Sequence, residues 1–255
     1  MGAFKAGFRL ELSIIRSQPD ALMPLFLAPL FAIIFMTIVR QSGRDDLQPD
    51  ALLAPVLMTL LWVALQHAGT MMAGDRWQAL LEPMVAAPTS VATFLFGRIM
   101  ALMGFALLSF LEVWAVGRLV FGVSFPFEHP FELFVTLGLT ALMTAGLAVA
   151  FAALLVMTRN AYTFTNSASF PLYVLGAVFV PVTFLPDWIQ PLSSVFFVSW
   201  SSDLLRATLH EEPVEDFWPR LGMILFLGTV TFVIGRVILH FVLRRMRANG
   251  ELSLA

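Results

Sequence analysis

Long runs of uncharged, apolar residues constrain this chain more than any other feature of its sequence. A helix needs about 20 mostly apolar residues to cross the roughly 30 Å of hydrocarbon in a bilayer. The residue set AVILMFWYC makes up 59% of the 255 residues and charged residues only 13%, so a soluble fold would lack polar surface. We therefore predict an all-α polytopic membrane protein, a single transmembrane domain over residues 1–255. Its six predicted spans are residues 21–39, 51–73, 99–121, 133–157, 161–185 and 221–243.

The same composition excludes several classes of chemistry. The chain has no Cys, which excludes disulfides, thiolate zinc sites and cysteine nucleophiles. Its net charge of −2 gives no basic footprint for nucleic acid. A P-loop needs a lysine after its glycine-rich turn, and Lys5 is the only lysine in the sequence. We predict no catalytic residue, no metal site and no cofactor in this chain.

The distribution of arginine and lysine between the loops predicts the orientation. One side carries nine such residues and the other five, which places both termini in the cytoplasm. A seventh span at residues 186–209 would put the basic C-terminal cluster outside, so we predict short re-entrant or interfacial helices there. The nine are Lys5, Arg9, Arg16, Arg76, Arg98, Arg159, Arg244, Arg245 and Arg247, and the five are Arg40, Arg44, Arg118, Arg206 and Arg220.

Residues 1–20 precede the first span and show helical spacing. Apolar residues recur at intervals of four, four and three, and basic residues lie on other faces. This pattern predicts an amphipathic helix in the cytoplasmic interface, and the alternative is a frayed polar tail. The apolar residues are Phe4, Phe8, Leu12 and Ile15, and the basic ones Lys5, Arg9 and Arg16.

Polar residues inside the predicted spans are candidates for function, because hydrocarbon penalises them. Glu112 lies in the third span. It is either a carboxylate near the outer interface, hydrated or paired with Arg118, or part of a helix contact or substrate path. Gln66 and His67 in the second span are expected to face the bundle, as packing contacts or as substrate contacts.

The fifth predicted span is rich in phenylalanine. Phe170 and Phe179 are candidates to line a path for hydrophobic substrates. The alternative is that these rings contact lipid or the protein core.

The loop between spans two and three, residues 75–90, mixes charged and apolar residues. Leu80, Leu81, Met84 and Val85 form the apolar set, and Pro83 and Pro88 bracket the end of the loop. A short helix that offers apolar side chains to a soluble partner has this pattern. The alternative is a connector without a partner.

This loop resembles that of the ABC type-2 transporter permease family, which reads approximately D-R-E-x-G-T-L-E-x-L-L-x-x-P, followed by a G-K/R pair. Trp77 replaces the first glutamate of that pattern, and Ala79-Leu80 replace its Gly-Thr pair. The matching residues are Asp75, Arg76, Leu81, Glu82, Pro88, Gly97 and Arg98.

A second resemblance lies at the end of the fifth predicted span. The family pattern there is approximately S-G-x-x-F-P-x-x-x-L-P-x-W-L, followed later by L-R. Leu175 stands in place of the serine. The matching residues are Gly176, Phe179, Pro181, Leu185, Pro186, Trp188, Leu205 and Arg206.

The resemblance implies the permease half of an exporter in a bacterial plasma (inner) membrane. Two permease chains would form a homodimer or heterodimer, with the first and fifth spans at the seam and central path. Two separate ATPase subunits, which bind ATP and Mg, would dock from the cytoplasm on the N-terminal helix and the loop. The coupling residues are then Asp75, Arg76, Leu81, Glu82, Met84, Val85 and Pro88.

The resemblance is to the drug- and antibiotic-exporting branch, similar to daunorubicin-resistance permeases, and implies a hydrophobic drug, antibiotic or lipid as substrate. A polysaccharide or lipo-oligosaccharide exporter is one alternative. A membrane scaffold or immunity protein that transports nothing is another, and would not need the docking loop.

Overall fold

The computed structural model describes residues 2–17, 23–44, 47–77, 90–123, 128–155 and 161–249. Within these ranges the chain forms ten α-helices, a π-helical turn at Gly117–Phe121 and a 3₁₀ turn at Val182–Phe184. The helices are α1 (Gly2–Ser17), α2 (Met23–Gln41), α3 (Gln48–Trp77), α4 (Val91–Ala106), α5 (Leu108–Val116), α6 (Pro130–Leu155), α7 (Ala161–Leu175), α8 (Gln190–Ser194), α9 (Phe197–Ala207) and α10 (Phe217–Asn249).

Four stretches of helix in the described residues are long and apolar enough to cross a membrane: Gln48–Ala68, Val91–Phe121, Pro130–Leu155 and Phe217–Arg245. The apolar part of α2, Leu25–Gln41, is shorter. The prediction of an all-helical, multi-pass membrane protein is therefore confirmed. The count of six spans stays a prediction, because the described apolar part of α2 and helix α7 are both shorter than these four stretches.

The third and fifth predicted spans have different limits in the structure. The helix of the third begins at Val91, eight residues before the predicted start at residue 99, because the Ser90 hydroxyl accepts a hydrogen bond from the backbone of Thr93 and caps it. Helix α7 ends at Leu175, ten residues before the predicted end of the fifth span at residue 185.

The end of α7 is a turn with a left-handed residue. Ala177 has φ of +49°, and the Val178 N–H donates to the carbonyl of Tyr173, five residues earlier. This is the Schellman arrangement, which glycine usually occupies. Gly176 is one position too early for that role. A Cβ on Gly176 would lie 2.8 Å from Val198 Cγ1, so the glycine allows α7 to approach α9.

Helix α3 is central and α10 peripheral. The apolar window of α3 is 83% buried inside the protein, and that of α10 only 17%. Helix α10 packs on α6 through small residues: a Cβ on Gly235 would lie 2.4 Å from Ala150 Cα, and one on Gly228 would lie 2.4 Å from Met143 Sδ. Such close contact is how helices associate in lipid, where no hydrophobic force drives them together.

Candidate functional site

A cavity of about 420 Å³ lies between α2, α3 and α7. Aromatic and aliphatic side chains form most of its wall, and four polar side chains interrupt it. The apolar residues are Leu27, Phe31, Phe35, Met58, Trp62, Phe170 and Phe179, and the polar residues are Thr59, Asn166, Ser169 and Tyr173.

The polar wall is organised by hydrogen bonds to the helices themselves. Gln66 Nε2 donates to Asn166 Oδ1 at 2.7 Å and thereby joins α3 to α7. The Thr59 hydroxyl donates to the Pro55 carbonyl at 2.8 Å, and the Ser169 hydroxyl to that of Thr165 at 2.7 Å. Backbone carbonyls therefore accept both hydroxyl protons. Each hydroxyl oxygen can still accept a hydrogen bond from another group.

The cavity wall carries no residue that is charged at neutral pH, among the described residues that line it. Aspartate, glutamate, lysine, arginine and histidine are all missing from that set, and Tyr173 is its one titratable member. An anionic ligand would therefore lose its hydration there without gaining a counter-ion, which is costly. The cavity suits a partly aromatic molecule without negative charge.

The candidate residues from sequence fall into two groups. Phe170 and Phe179 line the cavity, where Phe179 contacts Phe35 edge to face at a centroid distance of 6.1 Å. Gln66 is buried behind the wall and reaches it through Asn166. His67 lies outside the set of lining residues, and its Nδ1 is 2.9 Å from the Val63 carbonyl.

Glu112 lies on α5 and outside the cavity-lining set. The side chain is half-buried, and its Oε2 makes no hydrogen bond within the described part of the chain. The structure therefore places Glu112 outside the cavity that the two phenylalanines line.

Sequence reasoning missed Trp62, Asn166 and Tyr173. The signal for Asn166 was present, because residues 163–167 read Thr-Phe-Thr-Asn-Ser in an otherwise apolar helix. Helix α7 also exposes Ser167 and Phe170 on its outer surface. Hydroxyl and amide side chains are unfavourable in contact with lipid, so their number in α7 was a signal of a functional surface.

Residues of the second family-like motif lie around Arg206, a buried residue of α9. Its Nη2 donates to the carbonyls of Ala177 and Val178 at 2.7 and 2.9 Å, at the end of α7. Its Nε lies 3.8 Å from the Asp50 carboxylate at the start of α3. Burial lowers the pKa of the Arg206 guanidinium, and the nearby Asp50 and Asp203 carboxylates act in the opposite direction. Arginine thus joins the ends of three helices.

The residues proposed for coupling fall largely outside the described residues. Asp75 and Arg76 lie in the last turn of α3, where the backbone alone is described. The rest of the loop, residues 78–89, lies outside the described residues, and with it Leu81, Glu82, Met84, Val85 and Pro88. Gly97 and Arg98, which end the motif, lie on α4.

The sequence profile of the ABC-2 type transporter family matches residues 4–210, which is most of the chain. The match includes the loop, the cavity and the Arg206 cluster. No curated protein sequence matches the chain significantly.

Proposed function

Because the chain belongs to the ABC-2 type transporter family, we propose that it is the permease subunit of an exporter for hydrophobic or amphipathic compounds. Members of this family are the membrane components of ABC transporters and are not themselves the ATPase. The sequence agrees, since its one lysine cannot form a P-loop. Export is then driven by ATP and Mg on separate ATPase subunits.

The cavity between α2, α3 and α7 is the observation that carries the substrate class. Its volume of about 420 Å³ lies in the range typical of sites for small molecules. An uncharged aromatic wall with a few hydrogen-bonding groups favours a drug-like, antibiotic or lipid substrate. A polysaccharide carried on a phosphate-linked lipid would require cations, and the lining residues supply none. A scaffold or immunity protein would need no cavity.

The proposed complex contains two permease chains and two ATPase subunits. Helices α2 and α7 would be the first and fifth of six spans and would face the second permease chain. Their exposed side chains support this, because the outer surface of α7 includes Ser167 and Phe170, and α2 exposes Phe26. The loop at residues 75–90 would dock the ATPase. The complex would lie in a bacterial inner membrane, with a hydrophobic drug or antibiotic as cargo.

Reporter fusions test the six-span topology. We expect a fusion after Ala255 to report the cytoplasm and one at Asp46 to report the outside, because nine basic residues flank one side and five the other. An external signal from the Ala255 fusion would contradict the topology, and with it the re-entrant assignment of α8 and α9.

A matched set of dyes tests the substrate class in vesicles that contain the complex. We expect export of a neutral aromatic dye, and export at least tenfold slower for its sulfonate derivative, because the lining residues offer an anion no counter-ion. Phe35→Ala should raise the dye concentration for half-maximal transport about tenfold, since a lost aromatic contact and its buried area together amount to roughly 1.4 kcal/mol.

Phe226→Ala is the matched control for this experiment. Phe226 is 61% exposed on α10 and lies outside the cavity wall, so the same truncation should leave dye export unchanged. Equal transport of the neutral and sulfonate dyes would contradict the proposed substrate class. Equal effects of Phe35→Ala and Phe226→Ala on dye export would show that the cavity is not part of the transport path.

A further inference from the structure

Helix α1 packs against α4 more extensively than against any other described helix. The face that it buries contains Gly7, Glu11 and Ile15, at intervals of four residues. Lys5, Arg9 and Arg16 are exposed on other faces. Whatever force α1 receives therefore passes mainly to α4.

The two helices touch through their backbones. A Cβ on Gly7 would lie 2.2 Å from the Phe94 carbonyl oxygen, and one on Gly97 would lie 2.3 Å from that of Phe4. Real Cβ atoms do not approach backbone oxygens this closely, so each position admits only glycine without movement of a helix. Gly97, part of the family-like motif, is thus explained by the approach of α1.

A buried ion pair lies beside this crossing. Arg98 Nε donates to Glu11 Oε2 at 2.8 Å, and the two side chains are only 6% and 3% exposed. Separation of the helices would leave a charged group in an apolar environment, which is strongly unfavourable. A charged hydrogen bond also has a narrow geometry, so the pair opposes sliding as well as separation.

The position of this contact along α4 gives it a role. The helix from Val91 to Phe121 has 31 residues and is about 46 Å long, so it exceeds the roughly 30 Å of hydrocarbon. Helix α4 starts at Val91, directly after the loop at residues 75–90. Arg98 is therefore within two turns of the segment that the proposed function assigns to ATPase docking.

We propose that Glu11 and Arg98 are positioning residues that hold α1 and the first two turns of α4 as one rigid unit throughout the transport cycle. Movement of an ATPase against the loop or α1 is passed as a whole to the span that α4 begins. The inference rests on the proposed function for the identity of the moving partner. It adds the element that transmits the movement and the two residues that keep it rigid.

Chemical bridging tests the rigidity. The sequence has no cysteine, so a Phe4→Cys/Phe96→Cys variant carries the chain's only two thiols, at sites whose rings are 6.2 Å apart between centroids. We expect a short, reducible thiol-bridging reagent to join the two thiols at the same rate without nucleotide and in the ATP-bound, vanadate-trapped complex. Transport by the bridged complex should remain within twofold of the unbridged variant.

Each other outcome of bridging contradicts the proposal. A bridging rate that changes at least fivefold on ATP binding, or transport that stops and returns on reduction, means that α1 moves relative to α4. Failure to bridge in either state means that the two helices are not packed as described. Absence of dye transport by the unbridged wild-type complex contradicts the proposed function instead, and the bridging rates still decide whether the unit is rigid.

Charge variants test the pair itself. We expect Glu11→Gln and Arg98→Gln to lower the number of dye molecules exported per ATP hydrolysed by about tenfold in the complex that reaches the membrane, a typical size for coupling between sites. Arg98→Lys, which keeps the charge, should recover part of the loss. Arg236→Gln, at an exposed arginine of α10, is the control and should leave the ratio unchanged. A ratio unchanged in all variants, with only protein abundance reduced, would make the pair merely structural and overturn the proposal.

Discussion

Substitution of Arg206 with glutamine is expected to lower the free energy of unfolding by about 3–5 kcal/mol, the usual effect of removing one partner from a buried charged cluster. The Arg206 guanidinium binds two carbonyls at the end of α7 and pairs with Asp50 at the start of α3. Its removal leaves the carbonyls of Ala177 and Val178 without this donor and a carboxylate without its cation. Because proteins are stable by only about 5–15 kcal/mol, most of the variant should be lost from the membrane.

Two further variants make the Arg206 result specific. Arg220→Gln removes a neighbouring arginine, 19% exposed, from its pair with Asp203, which is 53% exposed, and should cost clearly less than Arg206→Gln because water screens this pair. Arg206→Lys should fall between the two, because an ammonium cannot present the planar set of donors that reaches both carbonyls. Abundance in the membrane and thermal denaturation in detergent measure all three. Equal stability of Arg206→Gln and Arg220→Gln would show that the buried cluster does not hold the helix ends together.

The presence of the helices could be predicted from the sequence, because the length of an apolar run is a local property of the chain. The N-terminal helix, the central spans and the short helices after residue 186 all follow from composition and periodicity. The end of α7 could not be predicted in this way, because the apolar run continues past Leu175 while the helix stops there. The turn depends on Val198 and Arg206, which reach it from α9. An interaction between residues about 20–30 positions apart leaves no trace in a local pattern.

Arg98 and Arg206 show the same limit for charged residues. Both were counted as loop cations in the topology argument, and both are buried: Arg98 beside Glu11, Arg206 beside Asp50. Their removal changes the bias from nine to five into eight to four, so the predicted orientation is unaffected. Glu11 itself was not singled out, because its partner lies 87 residues away in the sequence. Its position on the apolar face of α1, four residues after Gly7, was the available signal.

The candidate site divides in a similar way. Phe170 and Phe179 could be named as path candidates from their density in one segment, and the structure places both against the cavity. Trp62 and Tyr173 could not be separated from other aromatic residues of the spans. Which face of a span meets its neighbours depends on the packing of α2, α3 and α7, and the hydrophobic pattern of such uniformly apolar helices does not encode it.

A Leu81→Ala/Met84→Ala variant is expected to release the ATPase from the permease while the permease still inserts. Helix α3 has 30 residues, or about 45 Å of helix, which exceeds the roughly 30 Å of hydrocarbon, and we predict that the loop at residues 75–90 lies on the cytoplasmic side of the membrane. Buried apolar anchors carry most of the energy of protein interfaces. Truncation of a buried leucine or methionine costs about 2–5 kcal/mol in a protein core.

The expected size of this effect follows from the two anchors together. If each contributes at the lower limit, the pair loses about 4 kcal/mol, which weakens the dissociation constant roughly a thousandfold. Leu81 and Met84 are three residues apart and would share one groove, so a strictly additive sum is not expected. Detergent co-purification with the ATPase, measured beside the membrane abundance of the permease, gives both quantities in one preparation.

Two comparisons separate docking from general damage. Leu119→Ala/Leu192→Ala truncates two leucines that are 82% and 56% exposed at sites remote from the loop in sequence, and should retain the ATPase. Glu82→Ala keeps the apolar anchors and removes the acid of the motif, so we expect the ATPase to stay bound while its stimulation by the permease falls. These results would assign attachment to the apolar residues and activation to the carboxylate. Full ATPase stoichiometry and activity in the Leu81→Ala/Met84→Ala variant would instead exclude the loop as the coupling element.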